Sequence, residues 1–84
     1  MSLRHNRNAG QEYLKQRVMD RAHAANSQIN ELSWYEPAHQ DMSKLTVTSR
    51  SKTQTHVLHN LDLEDARRRH YLDELAEFIV QDFA

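Results

Sequence analysis

His56, His59 and Asp62 stand three residues apart, with Asp65 a further three on, in a chain that holds six histidines and no cysteine. On a helix that series drifts slowly around one side, and it presents two imidazoles and a carboxylate to one ion. A zinc helix of the His-Glu-x-x-His type needs a Glu beside its first His, and none is present here. The three residues are thus weak metal candidates, set against the simpler reading of surface histidines near a helix start.

The cations pose a second question. Arg67, Arg68 and Arg69 run together, but three consecutive side chains on a helix fan out around it and cannot all meet one phosphate backbone. Nearer the N-terminus, Arg4, Arg7, Lys15, Arg17 and Arg21 face only Glu12 and Asp20 within residues 1–25. Arg4, Arg7, Arg17 and Arg21 are the phosphate contacts that a nucleic-acid reading would use. Against it stand seven carboxylates and only three arginines in residues 61–84, and a net charge of −1. The opposite signs of the two ends fit attraction within or between chains better than attraction to a duplex.

Catalysis finds little to build on. The chain has one glycine, Gly10, so no glycine-rich loop can cradle a phosphate, and Ser, His and Asp occur without a spacing that sets them apart. No cofactor is expected. Trp34, Tyr35 and Tyr13 could stack on bases, but aromatic rings near helix ends are more often core or interface.

The elements that would position these groups read as helices. With one glycine and one proline, long helices are easy to write and flexible linkers are not. Leu14, Val18, Ala22, Ala25, Ile29 and Leu32 recur at steps of three and four, a seam along one helix face. The spacing predicts a helix over about 11–33, with Asn8 as its cap, residues 1–8 frayed, and Met1-Ser2-Leu3 a possible cloning remnant. Pro37 stops it. A second stripe, Leu72, Leu75, Ala76, Ile79 and Phe83 with Tyr71 and Phe78 beside it, predicts a helix over about 62–83. Between them Lys44–Ser49 and Thr53–Leu58 alternate as strands do, so residues 43–59 read as an extended or hairpin-like arm.

The expectation is one small, mainly α domain over residues 1–84: an antiparallel pair of amphipathic helices joined by an irregular or partly β middle. Two helices leave part of each stripe bare, so a homodimer with a four-helix core is expected. The function that fits is non-enzymatic protein–protein interaction, as an assembly or adaptor protein, through Trp34, Tyr35, Tyr71, Leu75, Phe78, Ile79 and Phe83. A small nucleic-acid-binding regulator is the alternative, and a His/Asp metal protein a remote one. Neither a signal peptide nor a membrane span is apparent, which makes the cytoplasm the default compartment.

Overall fold

The computed structural model describes residues 3–83. They form α1 (Leu3–Ala24), β1 (Ile29–Tyr35), β2 (Met42–Ser49), β3 (Thr53–His59), α2 (Asn60–Glu64), a 3₁₀ turn (Ala66–Arg68) and α3 (Arg69–Asp82). The strands make one antiparallel sheet in the order β1-β2-β3. The fold is α+β, which corrects the mainly α reading and the helical hairpin with it.

The first correction is local to Asn26. Its φ of 54° places it in the left-handed region, which asparagine tolerates better than most residues. Asn26 N–H donates to the His23 carbonyl and Ser27 N–H to the Ala22 carbonyl, the two bonds of a Schellman stop. The helix therefore ends at Ala24, and Ala25 is exposed. Ile29 and Leu32 belong to β1. Both face the core although they are three apart, because the register slips between Ile29 and Glu31 and leaves Asn30 as an extra residue. This bulge imitates helical spacing. At the other end, α1 already includes residues 3–8, so Asn8 lies inside the helix rather than capping it; Met1 and Ser2 lie outside the described residues.

β2 is the central strand, not part of a loose arm. Ser43, Leu45 and Val47 alternate inward and are fully buried, and Leu45 pairs with His56 while Val47 pairs with Leu32 and Gln54. The core joins these to Leu14, Val18 and Ala22 of α1, Leu63 of α2, and Leu72, Ala76, Ile79 and Val80 of α3. Helices thus cover one face of the sheet, and the other face, with Tyr35, Thr46, Thr55 and Val57, meets solvent.

The second helix is also broken. Asp65 adopts an extended conformation, accepts the Arg67 N–H at 2.9 Å, and so starts a new turn instead of continuing α2. α1 and α3 run parallel, which corrects the antiparallel pair: Arg17 meets Asp73 and Arg21 meets Glu77, a register that advances in the same direction on both helices. Three strands separate the helices, and each reverses the chain. The sheet, not a second molecule, covers Leu72 and Ile79, so the four-helix core is not needed to bury them. Gly10 makes the tightest crossing. A Cβ there would run into the Leu63 carbonyl, so α1 and α2 touch backbone to backbone.

Candidate interaction surface

One corner of the molecule is closed by polar pairing. Arg7 reaches Glu36 at 2.8 Å and Glu64 at 2.9 Å, and Arg4 adds a contact to Glu36 at 3.3 Å. The hydrogen bond from Arg7, reinforced by the charge of Arg4, holds the Glu36 carboxyl below its ordinary range. Behind this layer, Gln11 Nε2 donates to Ser43 Oγ at 3.1 Å and Ser43 Oγ donates to Asn60 Oδ1 at 2.6 Å, all three side chains being buried. Trp34 Nε1 donates to the Gln11 carbonyl at 3.1 Å, so this ring is an inner strut.

The cations proposed for phosphate are engaged within the chain. Arg4 and Arg7 hold Glu36, Arg17 meets Asp73 at 2.8 Å and Arg21 meets Glu77 at 3.9 Å. Asp73 also accepts from the Tyr13 hydroxyl at 2.8 Å, which pushes the phenol's pKa up. The arginine run is likewise divided. Arg67 pairs with Asp65, Arg68 with Asp62, and Arg69 bonds the Leu63 carbonyl and lies over the Tyr13 ring. The metal triplet does not gather on a helix. His56 and His59 sit on β3, where a separation of three puts them on opposite faces, and Asp62 follows on α2. No group of three or more His, Asp or Glu among the described residues is placed to hold a metal ion.

The remaining interface candidates separate into three places. Ile79 is buried in the core; Phe83 packs against it and lies 5.1 Å from Lys52 Nζ. Tyr35 stands 62% exposed on the open face of the sheet. Tyr71, Leu75 and Phe78 form a row. At about 100° per residue they share the flank of α3 turned away from Asp73 and Glu77, which face α1. α1 packs against β1, and the end of α3 meets the β2–β3 turn, where Lys52 Nζ donates to the Asp82 carbonyl at 2.6 Å, so the flank of α3 turned away from α1 lies on the β3 side of the sheet. Leu75 is half-buried against the core, while Phe78 is 57% exposed.

Beside this row runs an edge that the sequence reading did not single out. Ser49 N–H donates to the Lys52 carbonyl, and Asn60 N–H to the Asp41 carbonyl, so the hairpin is closed by bonded pairs at both ends. Alternation along an antiparallel ladder then assigns Gln54, His56 and Leu58 to bonds with β2. The N–H and C=O groups of Thr53, Thr55 and Val57 point to the free edge. This strand carries no Asp, Glu, Lys, Arg or Pro, and its pairing with β2 has no bulge. Two buried side-chain atoms without a hydrogen-bond partner, Gln54 Oε1 and His56 Nε2, lie on the same strand. Burial pushes the His56 imidazole below its ordinary pKa, and Asp82 acts in the opposite direction. The uncharged alternation Thr53-Gln54-Thr55-His56-Val57 was the available signal.

Two adjoining clefts of 280 and 420 Å³ open where α1 and α3 end, and they share Ala25 and Val80. Their ionisable lining groups are Arg21 and Glu77, which pair with each other. No helix among the described residues is long and apolar enough to cross a membrane. No family model matches the chain, and neither a curated protein nor a solved structure matches it.

Proposed function

We propose that this protein is a non-enzymatic protein-interaction module that receives an extended segment along the edge of β3. The observation that carries this reading is the pairing of an unprotected strand edge with an exposed apolar row on the adjacent helix. Natural sheets blunt their edges with charges, proline or bulges, because an open row of N–H and C=O groups recruits other strands. β3 has none of these devices, and Tyr71, Leu75 and Phe78 stand where side chains of an added strand would point. Strand addition supplies affinity through the main chain, and the neighbouring helix selects side chains. The nucleic-acid alternative is less well supported, since Arg4, Arg7, Arg17 and Arg21 each contact a carboxylate of the chain.

Site-specific photo-crosslinking in cells of origin tests the reading. A crosslinker at Thr55 or Phe78 is expected to give discrete protein adducts, and one at Glu31 on the opposite edge is expected to give few. Adducts spread evenly over both edges, or concentrated at Arg17 and Arg21, would overturn it.

A further inference from the structure

We infer that the occupant of the β3 edge is a second copy of this chain, paired β3 to β3 in antiparallel fashion about a two-fold axis at His56. The inference rests on the docking edge proposed above and names its partner.

Four observations point to self-pairing. First, the seven residues Thr53–His59 are uncharged apart from the titratable His56 and His59, so two identical strands meet without like-charged carboxylates or ammonium groups opposite one another. Burial holds His56, which would face its own copy, toward the neutral form. Second, a two-fold at His56 sets Thr55 of each copy opposite Val57 of the other. Both are edge-directed positions and both are β-branched, the residue type that pairs well on an exposed sheet face. Third, the same axis, perpendicular to the sheet, keeps both copies of α3 on one side and runs them antiparallel. The apolar row Tyr71, Leu75 and Phe78 then meets itself, the isologous contact that a closed dimer requires. Fourth, the alternative edge is unsuitable. β1 carries a bulge at Asn30 and a charge at Glu31, and Pro37 follows it closely. The product is a continuous six-stranded sheet with α1 and α3 of both copies on one face. It is a dimer through strands, unlike the helix-only core expected from the apolar stripes.

Sedimentation velocity over a range of concentrations tests this on the full chain. The wild type is expected to sediment at about twice its 9.9 kDa mass as concentration rises. Val57→Pro removes an edge N–H without touching a bond to β2, and is expected to weaken the dimer at least tenfold. Phe78→Glu places a charge in the apolar row of a side chain already 57% exposed, and is expected to do the same while keeping a wild-type circular dichroism spectrum. Leu61→Ser, on exposed α2 surface away from the edge, is expected to leave the dimer intact. A wild type that stays monomeric at millimolar concentration overturns self-pairing, as does a dimer indifferent to both Val57→Pro and Phe78→Glu. A monomer that still crosslinks to other proteins at Thr55 and Phe78 would reject the second copy and leave the docking edge standing. A monomer without such adducts would reject both.

Discussion

The two sides of this small sheet are finished differently. At the closed corner, where β1 and β3 end, α1 crosses α2 at Gly10, Arg7 ties Glu36 to Glu64, and Ser43 links Gln11 to Asn60 in the interior. The edge strand β1 beside it is bulged. On the β3 side the strand is straight in register and uncharged, two buried polar atoms lack partners, and the helix beside it exposes Phe78. Polar side chains saturate one side and backbone groups are left free on the other. Under the dimer proposed above, the closed side carries the stability of the chain and the open side its association. That division predicts that substitutions on the two sides separate cleanly in their effects.

The largest effect belongs to Gly10→Ala. Helix propensity alone favours alanine over glycine in a helix interior by about 1 kcal/mol. Packing opposes it: the new Cβ meets the Leu63 carbonyl, which is backbone and cannot swing away. Forcing α1 off α2 is expected to cost about 3 kcal/mol, as overpacked sites do, and to outweigh the propensity gain. Chemical denaturation at a concentration that keeps the chain monomeric measures the sign. A more stable variant would mean that α1 and α2 do not touch at Gly10, and the closed corner would lose its keystone.

Ser43→Ala comes next. Its hydroxyl serves as acceptor for Gln11 and donor to Asn60, and the site is fully buried. Removing it leaves a buried amide N–H and a buried carbonyl oxygen unmatched, for about 2 kcal/mol. The shift should appear in the same denaturation midpoint, with no change in sedimentation. A change in association without a change in stability would place Ser43 on the wrong side of the comparison.

The same contrast explains what was legible in the sequence. The strand alternation of Lys44–Ser49 and Thr53–Leu58 can be read directly, because these strands bury one face in regular register. Leu14, Val18 and Ala22 read correctly as a helix face, and Leu72, Ala76 and Ile79 do likewise. The first failure lies at Ile29 and Leu32. A bulge adds one residue between two inward positions, and the resulting spacing of three continues the helical pattern through a Schellman stop. Periodicity alone cannot tell those cases apart; Asn26 was the residue that could. Reading β1 as helix leaves two strands and three reversals between the helices, an odd number that makes them antiparallel, whereas the three strands present give four reversals and parallel helices. The site was harder to see. Tyr71, Leu75 and Phe78 stood out as apolar, but an edge exists only once the order β1-β2-β3 is known, and strand order depends on contacts distant in sequence.

Acid should dismantle the two sides in sequence. The folded pKa of His56 lies below its ordinary 6.5, so the unfolded chain takes up the proton first and stability declines as pH falls from about 6.5 toward the folded value. Glu36 is also lowered, from 4.5, through its bond to Arg7. Its stabilisation is complete above about pH 4.5 and disappears as pH falls below that toward its folded value. Thermal melts between pH 7 and pH 3 should show a first decline that His56→Gln abolishes and a second, more acidic one that it does not. A first decline unchanged in His56→Gln would assign it to another group.

The smallest effect on stability is expected where the effect on association is greatest. Phe78 is 57% exposed, and its neighbours Leu72 and Ile79 are already buried by the sheet without it. Phe78→Ser therefore removes little area that folding takes from water, and exposed substitutions of this kind stay within about 0.5 kcal/mol. If the row on α3 serves only to complete the core, the cost should instead approach the several kcal/mol of a core aromatic truncation. The denaturation midpoint of the monomer decides between these, and sedimentation of the same variant reads the other half of the argument. A near-native midpoint with a weakened dimer keeps the two sides distinct. A strongly lowered midpoint would make α3 part of the closed side and leave the β3 edge without its helical flank.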